Sequence, residues 1–169
     1  MQRPRRALVR LLQQAYSGEL GAALAYRGHA ASVAGPAERQ HITLIRAQEL
    51  DHRARVGRLL RRLGGQPDPL LELRNRAVGA AIGAFCHIGG WFLPMYGAGW
   101  IELRNMREYA RAARLAVVCG EPGCVDELLA MAEVESEHER YFRLKAASHP
   151  WSRLVRVWPA PTPMRSSAD

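Results

Sequence analysis

A lone glutamate followed by a Glu-x-x-His pair occurs twice in this chain, first as Glu19 with Glu49 and His52, then as Glu102 with Glu135 and His138. The lone glutamate and its pair are 30 residues apart in the first half and 33 in the second, as an internally duplicated pair of helical hairpins requires. Each lone glutamate is followed seven residues later by a tyrosine, Tyr26 and Tyr109, and each pair has an acid directly before its histidine, Asp51 and Glu137.

Helical spacing puts these residues on apolar faces. One stripe runs Ile42, Ile45, Glu49, His52, Val56, Leu59, Leu63 and another runs Leu128, Met131, Glu135, His138, Phe142. The stripes Leu12, Tyr16, Glu19, Ala22, Tyr26 and Glu102, Asn105, Tyr109, Ala112, Ala116 each put one carboxylate among small or aromatic residues. A buried, unpaired carboxylate costs several kcal/mol or takes up a proton, so four in one core need compensating charge. Two divalent ions supply it, and two Fe(II) with four carboxylates and two neutral imidazoles sum to zero. One Glu from each of two helices with Glu-x-x-His from two others is the di-iron carboxylate arrangement of four-helix bundles. The predicted metal ligands are therefore Glu19, Glu49, His52, Glu102, Glu135 and His138. Tyr26 and Tyr109 are candidate catalytic residues that donate hydrogen bonds near the metals or relay electrons, and Asp51 and Glu137 are candidates to support the ligands. His29, His41, His87 and His149 have no such partner and read as surface or core histidines, and Glu72, Glu108, Glu127, Glu133 and Glu139 fall off the ligand stripes or outside the repeat.

The expected fold is all-α, a ferritin-like four-helix bundle with a Gly-rich crossover helix. Helices are predicted from about Pro4 to Ser32, from Ala37 to Leu63, from near Pro69 with regularity lost through Gly89, Gly90 and Pro94, then through Glu102 to about Cys119, and from after Gly123 to about Ser148. Residues 1–148 form the predicted di-iron domain. Residues 149–169 form a tail in which Pro150, Pro159, Pro161 and Pro163 favour departure from the bundle, with Trp151, Leu154, Val155 and Trp158 as one candidate docking turn. Cys86, Cys119 and Cys124 are too few and too scattered for a disulfide framework and make no Cys-x-x-Cys motif, so reduced thiols in a cytoplasmic protein are expected. After Arg3, Arg5 and Arg6, the opening segment is interrupted by Arg10, Gln13 and Gln14 and reads as a helix rather than a signal peptide.

The formal charge of +8 comes almost wholly from arginine, with Lys145 the one lysine. Arg53, Arg55, Arg58, Arg61 and Arg62 lie off the apolar stripe and are expected to form a solvated basic face. From Ala77 to Ile101 there is no charged residue, and the stretch includes Phe85, Ile88, Trp91, Phe92, Leu93, Tyr96 and Trp100. Its six glycines and Pro94 disfavour a membrane span, which leaves a crossover helix packed on the bundle or an interfacial membrane surface reinforced by the arginines.

Ala15-Tyr16-Ser17-Gly18-Glu19-Leu20-Gly21-Ala22 with Tyr26, Glu49-Leu50-Asp51-His52, the Gly-rich uncharged crossover, Glu102 with Tyr109, and Glu135-Ser136-Glu137-His138 together resemble the demethoxyubiquinone hydroxylases of the ferritin-like superfamily. The resemblance covers about Leu8 to Ala147 and departs at Glu108, where the family usually has histidine before the tyrosine, and in the turn after the second helix. It implies an O2-dependent di-iron monooxygenase of ubiquinone biosynthesis that hydroxylates a lipophilic quinone intermediate, with two Fe ions, O2 as cosubstrate and an external reductant. Peripheral contact with the inner face of the cell membrane is also expected, with a homo-oligomer as an option and nucleic acid not among the expected partners. The alternatives from the residues are oxidation of another lipophilic metabolite, rubrerythrin-like or ferroxidase handling of iron and peroxide, and a nucleic-acid-modifying hydroxylase whose arginines would meet phosphates.

Overall fold

The computed structural model describes residues 2–161. Among them are five α-helices and no strand: α1 (Gln2–Ser32), α2 (Pro36–Arg62), α3 (Pro69–Phe85), α4 (Phe92–Val118) and α5 (Val125–Ser148). Short 3-10 turns at Pro122–Cys124 and Pro150–Arg153 precede and follow α5. α1 packs along α2 and α4 along α5 as two hairpins, and α3 crosses between them against α1, which makes the ferritin-like bundle. The turns between helices follow from local chemistry. Gly64 and Gly120 take positive φ at the ends of α2 and α4, where the amides of Gly65 and Glu121 reach back to the carbonyls of Leu60 and Ala116. Pro36 opens α2 at a position that needs no amide hydrogen, and Asp68 caps α3 by accepting from the amides of Leu70 and Leu71.

The uncharged stretch is two helices and a turn. α3 ends at Phe85, and α4 begins at Phe92, ten residues before Glu102. Pro94 lies in the first turn of α4, where its missing amide costs nothing, so regularity resumes earlier than predicted. The α3 glycines serve close packing: a Cβ on Gly79 would collide with the backbone of Gly21, and one on Gly28 with that of Gly83. α3 is thus seated on α1 along a stripe of glycine, its other faces leave Leu70, Leu73, Val78 and Phe85 exposed, and Ile88 is exposed in the turn that follows. Phe92, by contrast, is buried, and Trp91 is half-buried and donates its indole N–H to Glu38, so the exposed apolar surface is mostly aliphatic.

The core has two apolar ends. At one, Leu8 and Leu12 of α1 meet Val56 and Leu60 of α2, Ala112 and Ala116 of α4, and Leu128 and Met131 of α5. At the other, Tyr26 and Val33 meet Ile42, Ile45, Met95, Ala98 and Phe142. A fully buried aliphatic or aromatic side chain contributes about 1.5–3 kcal/mol, so both ends act as driving forces and as seals. On all four helices the predicted ligands fall between these ends, which keeps water from reaching them along the bundle axis.

Of the candidate docking turn, Trp158 is the residue that is buried. Trp158 is buried against Leu103 and Met106, and its indole N–H donates to Glu139 at 2.6 Å, so the chain returns to the bundle beyond Pro150. A tryptophan that can both bury its ring and satisfy its N–H outweighs the prolines around it. Pro163 and the rest of the predicted tail beyond 161 lie outside the described residues.

Candidate metal centre

All six predicted ligands are buried, with Glu49, Glu102 and Glu135 at 0 % exposure and Glu19, His52 and His138 at no more than 3 %. Their donor atoms fall into two groups of four: Glu19, Glu49, His52 and Glu135, and Glu49, Glu102, Glu135 and His138. Within each group the donors lie within 4.8 Å of one another. Metal–ligand bonds of about 2 Å put opposed donors about 4 Å apart, so each group suits one ion. Glu49 and Glu135, the two pair glutamates, belong to both groups, as carboxylates that bridge two metals must.

The polar atoms converge on common points more than they pair with one another. Glu19 Oε2, both oxygens of Glu49, Glu135 Oε2 and His138 Nδ1 are buried without a hydrogen-bond partner. His138 Nδ1 lies 3.2 Å from Glu49 Oε1 and 3.4 Å from Glu135 Oε2, and His52 Nδ1 lies 3.0 Å from Glu135 Oε1. Burial, and next the charge of Glu49, hold the Glu19 carboxyl well above the usual range, and burial followed by Glu135 does the same to Glu102. Burial also raises Glu49 and Glu135. Burial depresses His52. At His138 burial acts downward, but the carboxylates of Glu135 and Glu49 prevail and push it up to about 10. Four carboxyls with so little solvent and so few donors fit a pair of divalent cations, which would neutralise them and occupy the unpartnered oxygens.

The tyrosines connect the halves. Tyr26, from the first half, donates to Glu102 of the second, and Tyr109, from the second, donates to Glu19 of the first. Each therefore holds the lone glutamate of the opposite hairpin. Two side chains the sequence did not single out as ligand supports also touch the ligands: Gln48 Oε1 lies 2.9 Å from His138 Nε2, and Asn105 Nδ2 donates to Glu102 Oε2 at 3.2 Å. Asn105 lies on the Glu102 stripe and was legible there; Gln48 lies off its helix's stripe and reaches a histidine on another helix, which spacing cannot reveal. Asp51 and Glu137 do not support the ligands. Both are exposed, and Asp51 pairs with Arg55 at 2.7 Å, because the residue just before the histidine points away from the core face. Glu139, set aside on spacing, is buried but serves the tail through Trp158 and Arg143.

Arg53 is not part of a solvated face. It is half-buried, lies over the Tyr16 ring at 3.7 Å, donates to the Tyr16 carbonyl and pairs with Glu72 of α3 at 2.6 Å, which ties α2 to the crossover. Of the isolated histidines, His29 is buried, stacked near Tyr26 and Phe142, and lowered by burial to about 4. The three cysteines are free thiols.

A groove of about 360 Å³ runs between α1, α3 and α4 to Glu19 and Tyr109. Leu11, Ala22, Val78 and Ile82 line its walls, and Arg74, Arg104 and Glu108 stand among its polar residues, the last two joined by a 2.7 Å ion pair. An apolar cavity of about 200 Å³, bordered by Tyr26, His29 and Cys86, shares Ala22, Ala25, Ile82 and Ile101 with it. No helix among the described residues is long and apolar enough to cross a membrane.

The chain matches no curated protein and no solved structure. The model of the family described as ubiquinone biosynthesis protein COQ7 matches residues 6–96, which include Glu19, Tyr26, Glu49, His52 and the crossover. That is more than half of the 169 residues, and the chain belongs to this family.

Proposed function

We propose that this member of the COQ7 family is an O2-dependent di-iron monooxygenase that hydroxylates a lipophilic quinone intermediate of ubiquinone biosynthesis. The observation that carries the proposal is the pair of four-donor groups sharing Glu49 and Glu135 at the end of an apolar-walled groove. Glu19, Glu49, His52 and Glu135 would hold one iron, and Glu49, Glu102, Glu135 and His138 the other. When bound, the iron pair supplies the electrons and Lewis acidity that activate O2. Overall, one oxygen atom enters a ring C–H bond and the other leaves as water, with two electrons and two protons drawn from an external reductant.

The protein's share of the work is to position, seal and hold protons. Tyr109 and Tyr26 keep their protons on Glu19 and Glu102 and so fix the direction of both lone carboxylates. The apolar ends formed around Leu12 and Phe142 exclude water that would otherwise quench a reactive centre. The groove volume falls at the lower end of the range for small-molecule sites, enough for a quinone ring whose tail continues along the apolar cavity or outward past α3. The exposed Leu70, Leu73, Val78 and Phe85 of α3, with Ile88 in the turn after it, suit a peripheral seat on lipid, from which such a tail would enter.

The test is to load the purified protein with Fe(II) and supply a short-tailed demethoxyquinone, a chemical reductant and ¹⁸O2. A product heavier by one labelled oxygen atom is expected. Iron-dependent peroxide turnover with no labelled quinone would replace the proposal with rubrerythrin-like or ferroxidase chemistry.

A further inference from the structure

The two halves of the metal centre supply equivalent ligands but unequal support. His138 turns Nδ1 toward Glu49 and Glu135 and its other ring nitrogen toward Gln48 Oε1 at 2.9 Å. A metal on Nδ1 needs that lone pair, so Nε2 carries the hydrogen and donates it to the amide oxygen of Gln48. Gln48 is the residue before Glu49, and the matching residue of the other half, before Glu135, is Val134, whose side chain accepts nothing. The lone glutamates repeat the asymmetry. Asn105, three residues after Glu102, donates to it at 3.2 Å, whereas the residue three after Glu19 is Ala22. Both polar supports thus fall on the Glu102 and His138 side, and both matching positions on the other side are apolar. The groove adds a third difference, because among the six ligands only Glu19 lines it.

Resting on the two-metal reading above, we infer that the metal positions are inequivalent. The position of Glu102 and His138, braced by Gln48 and Asn105, takes the first and tighter ion. The position of Glu19 and His52, unbraced and bordering the groove, takes the second and exchangeable one. Gln48 acts here as a positioning residue: it fixes the tautomer and ring plane of His138 and does not touch the ion.

The test is an anaerobic calorimetric titration of Co(II) into metal-free protein at pH 7. The wild type should bind two ions in steps separated by tenfold or more. Loss of a hydrogen bond to a ligating histidine typically weakens metal affinity about 10–100-fold. Gln48→Leu should therefore weaken the first step by that factor and leave the second within about threefold. Gln48→Glu, which still accepts the Nε2 hydrogen, should keep the wild-type first step. Asn105→Ala provides a second route to the same loss, and Val134→Gln, which offers His52 the missing acceptor, should tighten the second step. Equal steps in the wild type, or a Gln48→Leu isotherm changed in both steps alike or in neither, would overturn the inequivalence. Fewer than two Co(II) in the wild type would instead overturn the two-metal reading itself.

Discussion

Removing the metal should cost this protein more stability than any single core substitution, and the loss should depend on pH in a definite direction. The carboxyls of Glu19, Glu49, Glu102 and Glu135 are all raised above their ordinary 4.5 in the fold, burial being the largest cause at each. A raised carboxyl binds its proton more tightly folded than unfolded, so its penalty is absent below about 4.5 and grows as pH rises through the folded value. Each unit of elevation costs about 1.4 kcal/mol once the group is ionised, so four raised groups weigh against a total stability of about 5–15 kcal/mol. Two bound divalent ions would neutralise the cluster. Each, at a hundred times its dissociation constant, adds about 3 kcal/mol, and together they should raise the melting temperature by roughly 10–20 °C in a chain of this length. Calorimetric melts of metal-free and Co(II)-loaded protein at pH 7 and pH 5 measure this. The difference should shrink at pH 5, where protons compete for the same oxygens; His29, which contacts no ligand group, cancels in the subtraction. Because Glu135 belongs to both donor groups and Glu19 to one, Glu135→Gln should remove most of the increment and Glu19→Gln about half. Melts that coincide within 2 °C, or an increment equal at both pH values, would refute convergence of the four carboxylates.

His29, lowered to about 4, contributes stability above pH 6.5 that is lost as pH falls, about 2 kcal/mol between pH 6.5 and 5 by linkage, and His29→Gln should flatten that part of the stability curve of the loaded protein. Gly28→Ala should force α3 away from α1 and cost about 1–3 kcal/mol, seen as a lower melting temperature with metal content unchanged, since α3 supplies no ligand. Tyr109→Phe and Tyr26→Phe each leave a buried carboxylate oxygen without its donor; turnover is expected to fall about tenfold in each while two ions remain bound, and wild-type turnover in both would remove the tyrosines from the mechanism. Phe85→Glu with Ile88→Glu, on the exposed face at the end of α3, should reduce binding to anionic liposomes and turnover of a long-tailed quinone but spare a short-tailed one, whereas equal loss on both substrates would make the face part of the core packing.

The buried carboxylates and histidines of the candidate centre were legible in the sequence because a buried charge on an apolar stripe is a local anomaly. Glu19 among Leu12, Ala22 and Tyr26, or Glu135 and His138 between Met131 and Phe142, can be placed by counting along one helix, and the duplication then fixes how many helices must meet. The hairpin ends followed from Gly64, Gly120 and their neighbours for the same reason. What spacing could not supply was anything made between helices. It could not show that Tyr26 reaches Glu102 and Tyr109 reaches Glu19, or that Gln48 of one helix reaches His138 of another. Nor could composition tell that α1 is the helix on which the crossover is seated, that Phe92 turns inward while Ile88 stays outside, or that Trp158 is the residue of the candidate docking turn that reaches Glu139. Periodicity along a helix determines which face is buried; only the rotation and approach of neighbouring helices decide which side chains meet there, because those contacts join residues that are far apart in the chain.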